Sequence, residues 1–238
     1  MRKICALLWC FVLPVWGYQV QPMIVEMPSS GKKSMVTYRL QNPADVSLPV
    51  EVEVYKRTFD NNLQEVLVPA EQDFVVMPPQ IEVPAKGFQA FRAKYLGKPN
   101  LTETQSYRIV FKQLPLSDEK DKAKAGVKMM FNFATLVFVS PNGVKAQQQS
   151  QLLCETLDQC KLTISNVGKK VLDLAHFDYA LDFDGAEAKT LNWTQFQPIT
   201  KGRFIMPSHH IELDLSRLSE GKTVKSLQMV NIFATSTP

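Results

Sequence analysis

Val50-Glu51-Val52-Glu53-Val54-Tyr55 alternates apolar and polar residue by residue, and an extended strand sorts such a pattern onto two faces. Val50, Val52 and Val54 then share one buried face and the two glutamates the solvent face, whereas a helix would scatter all five. Working outward, segments rich in β-branched and aromatic residues recur at 20–27, 35–41, 50–59, 74–77, 88–95, 107–114 and 127–139, each bounded by Pro, Gly, Asn or Asp. So many short strands in a row predict a β-sandwich. After Pro141-Asn142-Gly143 the pattern restarts, with strand-like segments at 145–153, 161–165, 174–183, 203–206, 211–215 and 224–234. Turns are expected at 166–169 and at Asp184-Gly185. The chain therefore reads as all-β, two sandwich domains in tandem over 18–141 and 142–238.

The rest of the composition agrees. The 238 residues are 45% hydrophobic and 21% charged, with 15 Pro against 10 Gly, which excludes disorder, collagen and coiled coil. Arg2 and Lys3 precede an apolar run from Ile4 to Val15, the pattern of a cleaved signal peptide over residues 1–17. That run is too short for a membrane span of about 20 residues. The mature protein is expected to be exported and soluble, with no membrane insertion. Loss of Arg2 and Lys3 lowers the formal charge from +4 to +2, which is no nucleic-acid footprint.

Export also removes Cys5 and Cys10 and leaves Cys154 and Cys160. A disulfide between them would close a short loop and stabilise by about 2–3 kcal/mol. The competing reading is a metal or redox pair. Against it, no other cysteine remains, His176, His209 and His210 lack zinc-ligand spacing, and redox pairs are usually CxxC.

Catalytic signatures are missing: the sequence has no GxSxG, HExxH, P-loop or GxGxxG. His209-His210 beside Asp214 invites a hydrolase reading but fits a polar strand entry better. Asp182 with Asp184 could ligate Ca²⁺, yet a solvated Asp-Gly hairpin explains them as well. Asn100-Leu101-Thr102 and Asn192-Trp193-Thr194 match the glycosylation acceptor pattern, which also arises by chance. The expectation is a protein that is no enzyme and takes no metal or cofactor.

Residues 127–139, Val-Lys-Met-Met-Phe-Asn-Phe-Ala-Thr-Leu-Val-Phe-Val, form the longest apolar stretch outside the signal and follow the charged run 117–124. That run reads as a hairpin loop. Val127, Met129, Phe131 and Phe133 share one parity. At a sheet edge such a strand could recruit a partner by β-strand addition. On composition alone the same row is read as facing its own core.

Three motifs carry a family resemblance. They are Gly31-Lys32-Lys33-Ser34-Met35 leading to Leu40-Gln41-Asn42, then Met77-Pro78-Pro79 with Pro84, Gly87 and Arg92, then residues 107–115, Tyr-Arg-Ile-Val-Phe-Lys-Gln-Leu-Pro. Across essentially the whole mature chain, the sequence resembles the periplasmic pilus chaperones, the PapD-like family of the chaperone-usher pathway, and within it the branch serving class 5 fimbriae. The resemblance implies two immunoglobulin-like domains in a boomerang arrangement, resident in the periplasm. It implies donor-strand complementation, in which Val127, Met129, Phe131 and Phe133 fill the gap in pilin subunits with incomplete immunoglobulin-like folds. Delivery to an outer-membrane usher for fimbrium biogenesis would follow, and the exposed edge would let the free protein dimerise.

The family's usual basic anchor for the subunit's terminal carboxylate is missing at the matching positions, Met23 to Val25 and Thr135 or Leu136. A buried carboxylate still needs donors. Hairpin geometry is expected to bring Arg108 close to Phe133 and Thr135, which makes Arg108, helped by Thr135, the anchor candidate. A secreted two-domain adhesin or surface-binding module is the alternative reading.

Overall fold

The computed structural model describes residues 18–60, 64–115, 130–156, 159–185, 187–219 and 223–233. The expected signal peptide, the charged run 117–124, and Val127 and Met129 lie outside the described residues.

The N-terminal half holds β1 (Gln19–Gln21), β2 (Ile24–Pro28), β3 (Met35–Gln41), β4 (Leu48–Phe59), β5 (Glu65–Pro69), β6 (Phe74–Met77), β7 (Gln80–Val83), β8 (Phe88–Tyr95), β9 (Gln105–Gln113) and β10 (Asn132–Ser140). One sheet runs β1-β3-β8-β6, the other β2-β10-β9-β4-β5, with β7 also on β4. Val50 and Val54 are buried and Val52 packs beside them, as the alternation predicts. Between the sheets, Phe111 meets Tyr38 and Phe91 edge-on at 5.3 and 5.1 Å between ring centres, an aromatic arrangement that stabilises beyond area burial.

The C-terminal half holds β11 (Gln148–Thr156), β12 (Gln159–Asn166), β13 (Leu172–Asp173), β14 (Phe177–Phe183), β15 (Lys189–Leu191), α1 (Trp193–Phe196), β16 (Phe204–Ile205), β17 (His210–Asp214), α2 (Ser216–Ser219) and β18 (Val224–Asn231). Its sheets are β11-β12-β17, β15-β14-β18 and the short pair β13-β16. Its core draws on residues from Cys160 to Leu227, whereas the first core runs from Val20 to Val139. The all-β, two-sandwich reading therefore holds.

Several local readings need correction. The segment 20–27 is two strands in different sheets: β1 pairs antiparallel with β3, while β2 pairs parallel with β10. The chain crosses between sheets at Pro22-Met23, and proline's missing N–H suits a break in a ladder. The segment 174–183 opens with a 3₁₀ turn, Leu174–His176, before β14. Asn192 is the N-cap of α1, its side chain accepting from the Gln195 N–H while the Gln195 side chain accepts from the Asn192 N–H. The acceptor-like triplet is thus a capping box.

Two buried asparagines perform matching tasks. Asn42 Nδ2 donates to the carbonyls of Val46, Val83 and Pro84 at 2.8–3.2 Å, clamping two turns together. Asn166 Nδ2 donates to Lys170 and Ile205 at 2.8 and 3.0 Å in the second domain. Beside the first clamp, a Cβ on Gly87 would sit 2.7 Å from Pro84 Cγ, so the Pro84–Gly87 spacing admits no side chain there. The motif residues Asn42, Pro84 and Gly87 are thereby explained by packing of turns.

Candidate functional site

The site is built on β10. Along one side β10 pairs with β9 from Asn132↔Lys112 to Val139↔Gln105. Along the other side β2 pairs only with Leu136 to Ser140. The Leu136 N–H donates to the Met23 carbonyl at 2.8 Å. By alternation, the backbone groups of Asn132 and Ala134 point the same way, toward an edge that no described strand covers. The sheet therefore ends in a strand that is half covered and half open.

Its side chains divide between two faces. Phe133, Thr135, Val137 and Val139 turn inward. Val137 and Val139 are fully buried, and Phe133 packs against the same core. Thr135 is also fully buried, its hydroxyl donating to the Ile109 carbonyl at 3.0 Å and lying 3.4 Å from the Tyr38 hydroxyl. Burial pushes that Tyr38 phenol up to about 12. Phe131 precedes the strand, stays 41% exposed and meets Tyr18 at 5.6 Å between ring centres. With Leu40, Leu48, Val50, Phe111 and Phe133 these two rings line the apolar mouth of the sandwich. Of the expected donor row, Phe133 is thus engaged by its own core, and Phe131 is the described member with an available side chain.

The outer face of the same sheet turns toward the second domain. Phe138 packs on Phe204 at 4.7 Å and Phe59 approaches His209 at 6.2 Å, both between ring centres. Arg108 lies on this face, opposite Leu136, while Thr135 lies opposite Ile109 on the inner face. The expectation that Arg108 and Thr135 act together is therefore corrected: strand alternation puts them on opposite sides of the sheet. Arg108 instead donates twice to Glu65, at 3.0 and 2.8 Å, and Arg57 Nε donates to the same carboxylate at 2.5 Å. Hydrogen bonding from Arg108, then Arg57, outweighs burial and holds the Glu65 carboxyl down at about 2. Two guanidinium groups share one carboxylate. Sequence reasoning missed Arg57 and Glu65, because they become neighbours only through the β4–β5 pairing of Arg57 with Leu67 and Phe59 with Glu65.

The remaining candidates sit elsewhere. Cys154 and Cys160 face each other across β11 and β12, Cα atoms 4.0 Å apart, and are disulfide-bonded. His209 Nδ1 lies 2.9 Å from the Pro207 carbonyl, and Asp184 pairs with Lys225 at 3.0 Å. Among the described residues no group of three His, Cys, Asp or Glu could hold a metal ion.

The family model described as pili and flagellar-assembly chaperone, PapD N-terminal domain, matches residues 17–145. No curated protein sequence matches the chain. Among solved structures, the class 5 fimbriae chaperone CfaA superposes with a TM-score of 0.57 at 12% identity, over 82% of this chain and 84% of that one. The Salmonella enterica SafB chaperone complex with the SafA pilin gives a TM-score of 0.56 at 14% identity, over 92% and 98%. The CsuC–CsuE chaperone and tip-adhesion-subunit complex of Acinetobacter baumannii gives 0.54 at 14% identity, over 91% and 94%. At these identities the likeness establishes the fold.

Proposed function

The chain belongs to the family of pili and flagellar-assembly chaperones, and on that premise we propose that it binds pilin subunits with incomplete immunoglobulin-like folds by adding its own β10 edge to theirs. It is a chaperone of fimbrial assembly and not an enzyme. The observation that carries the proposal is the open edge at residues 132–135, beside an edge that β2 covers from 136 onward. Backbone donors and acceptors that no described strand engages there pair with a client strand, while apolar side chains just upstream enter the client's core. That the SafB structure holds a pilin supports the choice of client.

Val127, Met129 and Phe131 form the donor row, and Phe133 anchors the strand to its own domain. Each large side chain buried in the client contributes about 2–3 kcal/mol. A client strand laid along the open edge runs into the start of β2 at Ile24, beside Leu136. Its terminal carboxylate then falls on the row that carries Arg108, which with Arg57 supplies the charge that a buried carboxylate requires. Residues 1–17 direct export to the periplasm and are removed. The loaded chaperone passes its client to an outer-membrane usher, and the free protein self-associates through the same edge.

The test is affinity capture of the tagged mature protein from the periplasm of its own source cells, beside a Met129→Asp/Phe131→Asp variant. Small immunoglobulin-like subunits, identified by mass spectrometry, are expected with the wild type and not with the folded variant. Capture that is absent, or indifferent to the two substitutions, rejects the proposal.

A further inference from the structure

The junction between the domains passes through one buried hydroxyl. Thr104 immediately precedes β9, is 2% exposed, and lies one step beyond the Val139↔Gln105 pair, so that it faces Ser140, the last residue of β10. Its Oγ1 is 2.8 Å from Ser140 Oγ, 3.0 Å from the Val171 N–H that donates to it, and 3.4 Å from the Lys169 carbonyl, to which it donates. Its own N–H also donates to Lys169 O at 3.0 Å. A threonine hydroxyl has one donor and two acceptor sites. With Ser140 donating to it, all three are used.

These partners belong to different bodies. Ser140 closes the strand with the open edge, and its carbonyl accepts from the Ser29 N–H at 2.8 Å, just past β2. Lys169 and Val171 lead into β13, which pairs with β16, and Phe204 of β16 carries the ring packed on Phe138. The end of β10 is thus fixed to the second domain by the Phe138–Phe204 contact, by the Thr104 hydroxyl and by the Thr104 backbone N–H on the Lys169 carbonyl. The flanking ion pairs, Lys170 with Glu26 at 2.7 Å and Lys169 with Glu103 at 3.6 Å, are half-exposed pairs of long side chains and contribute less positional precision than the buried hydroxyl.

We propose that the Thr104 hydroxyl is the pin that sets the second domain relative to the open-edged strand, and so fixes the width of the cleft in which a client sits. It is a positioning residue and touches no client. The consequence for the client rests on the chaperone reading above; the pin itself does not.

Thr104→Val keeps the shape and removes the hydroxyl, while Thr104→Ser keeps the hydroxyl. In Thr104→Val the Val171 amide proton should exchange about tenfold faster than in the wild type. Small-angle X-ray scattering should show a broader distribution of interdomain distances, and affinity for the subunit recovered by periplasmic capture should fall about tenfold. Thr104→Ser should return all three toward wild type. The proposal is overturned if Thr104→Val matches wild type in exchange and scattering, or if Thr104→Ser is as impaired as Thr104→Val. Should Thr104→Val fail to fold, Ser140→Ala removes a single contact; it should shift exchange and scattering the same way by a smaller amount, and no shift overturns the pin. Altered exchange and scattering without any subunit being captured would leave the pin standing and reject the client reading.

Discussion

The two halves of β10 have the same partner on one side and opposite fates on the other. From Leu136 to Val139 the strand lies between β9 and β2, and Val137, Phe138 and Val139 are fully buried. From Asn132 to Thr135 its partner among the described strands is β9 alone, and Asn132 and Ala134 are exposed. An unprotected apolar edge is an aggregation hazard in an ordinary domain. Here the covered half holds the strand in place so that the open half keeps its backbone groups free without fraying. One half is a foundation and the other a template.

Substitutions should separate these roles. Val137→Asp buries a charge with no partner in the covered half, and a loss of about 4 kcal/mol or more is expected, enough to unfold the first domain in a urea titration. A well-folded Val137→Asp protein would break the distinction. In the open half, Phe131→Asp should change stability by less than about 1 kcal/mol while lowering client affinity about thirty- to a hundredfold in capture or calorimetry. Equal effects on folding and binding would mean that the two halves are a single structural unit.

Hydrogen exchange sharpens the same contrast within one strand. The Leu136 and Phe138 amides face β2, whereas those of Asn132 and Ala134 face the open edge, so the first pair should exchange about a hundredfold more slowly. The smallest effect lies on the row where the halves meet. Glu65 titrates at about 2, below its usual value near 4.5, so its contribution is present above pH 4.5 and is lost as pH falls toward 2. The stability gap between wild type and Glu65→Gln should narrow by about 1 kcal/mol between pH 6 and pH 3, measured by urea denaturation. A gap that does not change with pH would mean that Arg57 and Arg108 lend that carboxylate nothing.

The core of this arrangement was legible because period-2 alternation is a local signal. The stretch from Val50 to Tyr55 needs only its own residues to declare a half-buried strand, and Cys154 and Cys160 had no other partners to choose. What stayed hidden is non-local. Residues 20–27 look like one strand, since nothing in their composition says that β1 and β2 belong to different sheets. Phe131 and Phe133 share a parity, yet only the packed core distinguishes the ring held inside from the ring left at the mouth. Arg108 was found, but its pairing with Glu65 spans 43 positions and depends on two intervening strand registers. The capping box at Asn192 is written in the sequence, in Asn192 and Gln195, and overlaps the acceptor-like triplet at Asn192 alone.

The crossing of the first strand at Pro22-Met23 also fixes one end of the open stretch. Because β2 begins at Ile24, directly beside Leu136, the free stretch of β10 within the described strand is four residues, about 13 Å at 3.3 Å per residue. A visiting strand can fill those rungs and must then turn away, whatever its side chains. The N-terminal strand so acts as a gauge: moving its crossing point by two residues would lengthen or shorten the berth by about 7 Å while leaving the faces of β10 unchanged.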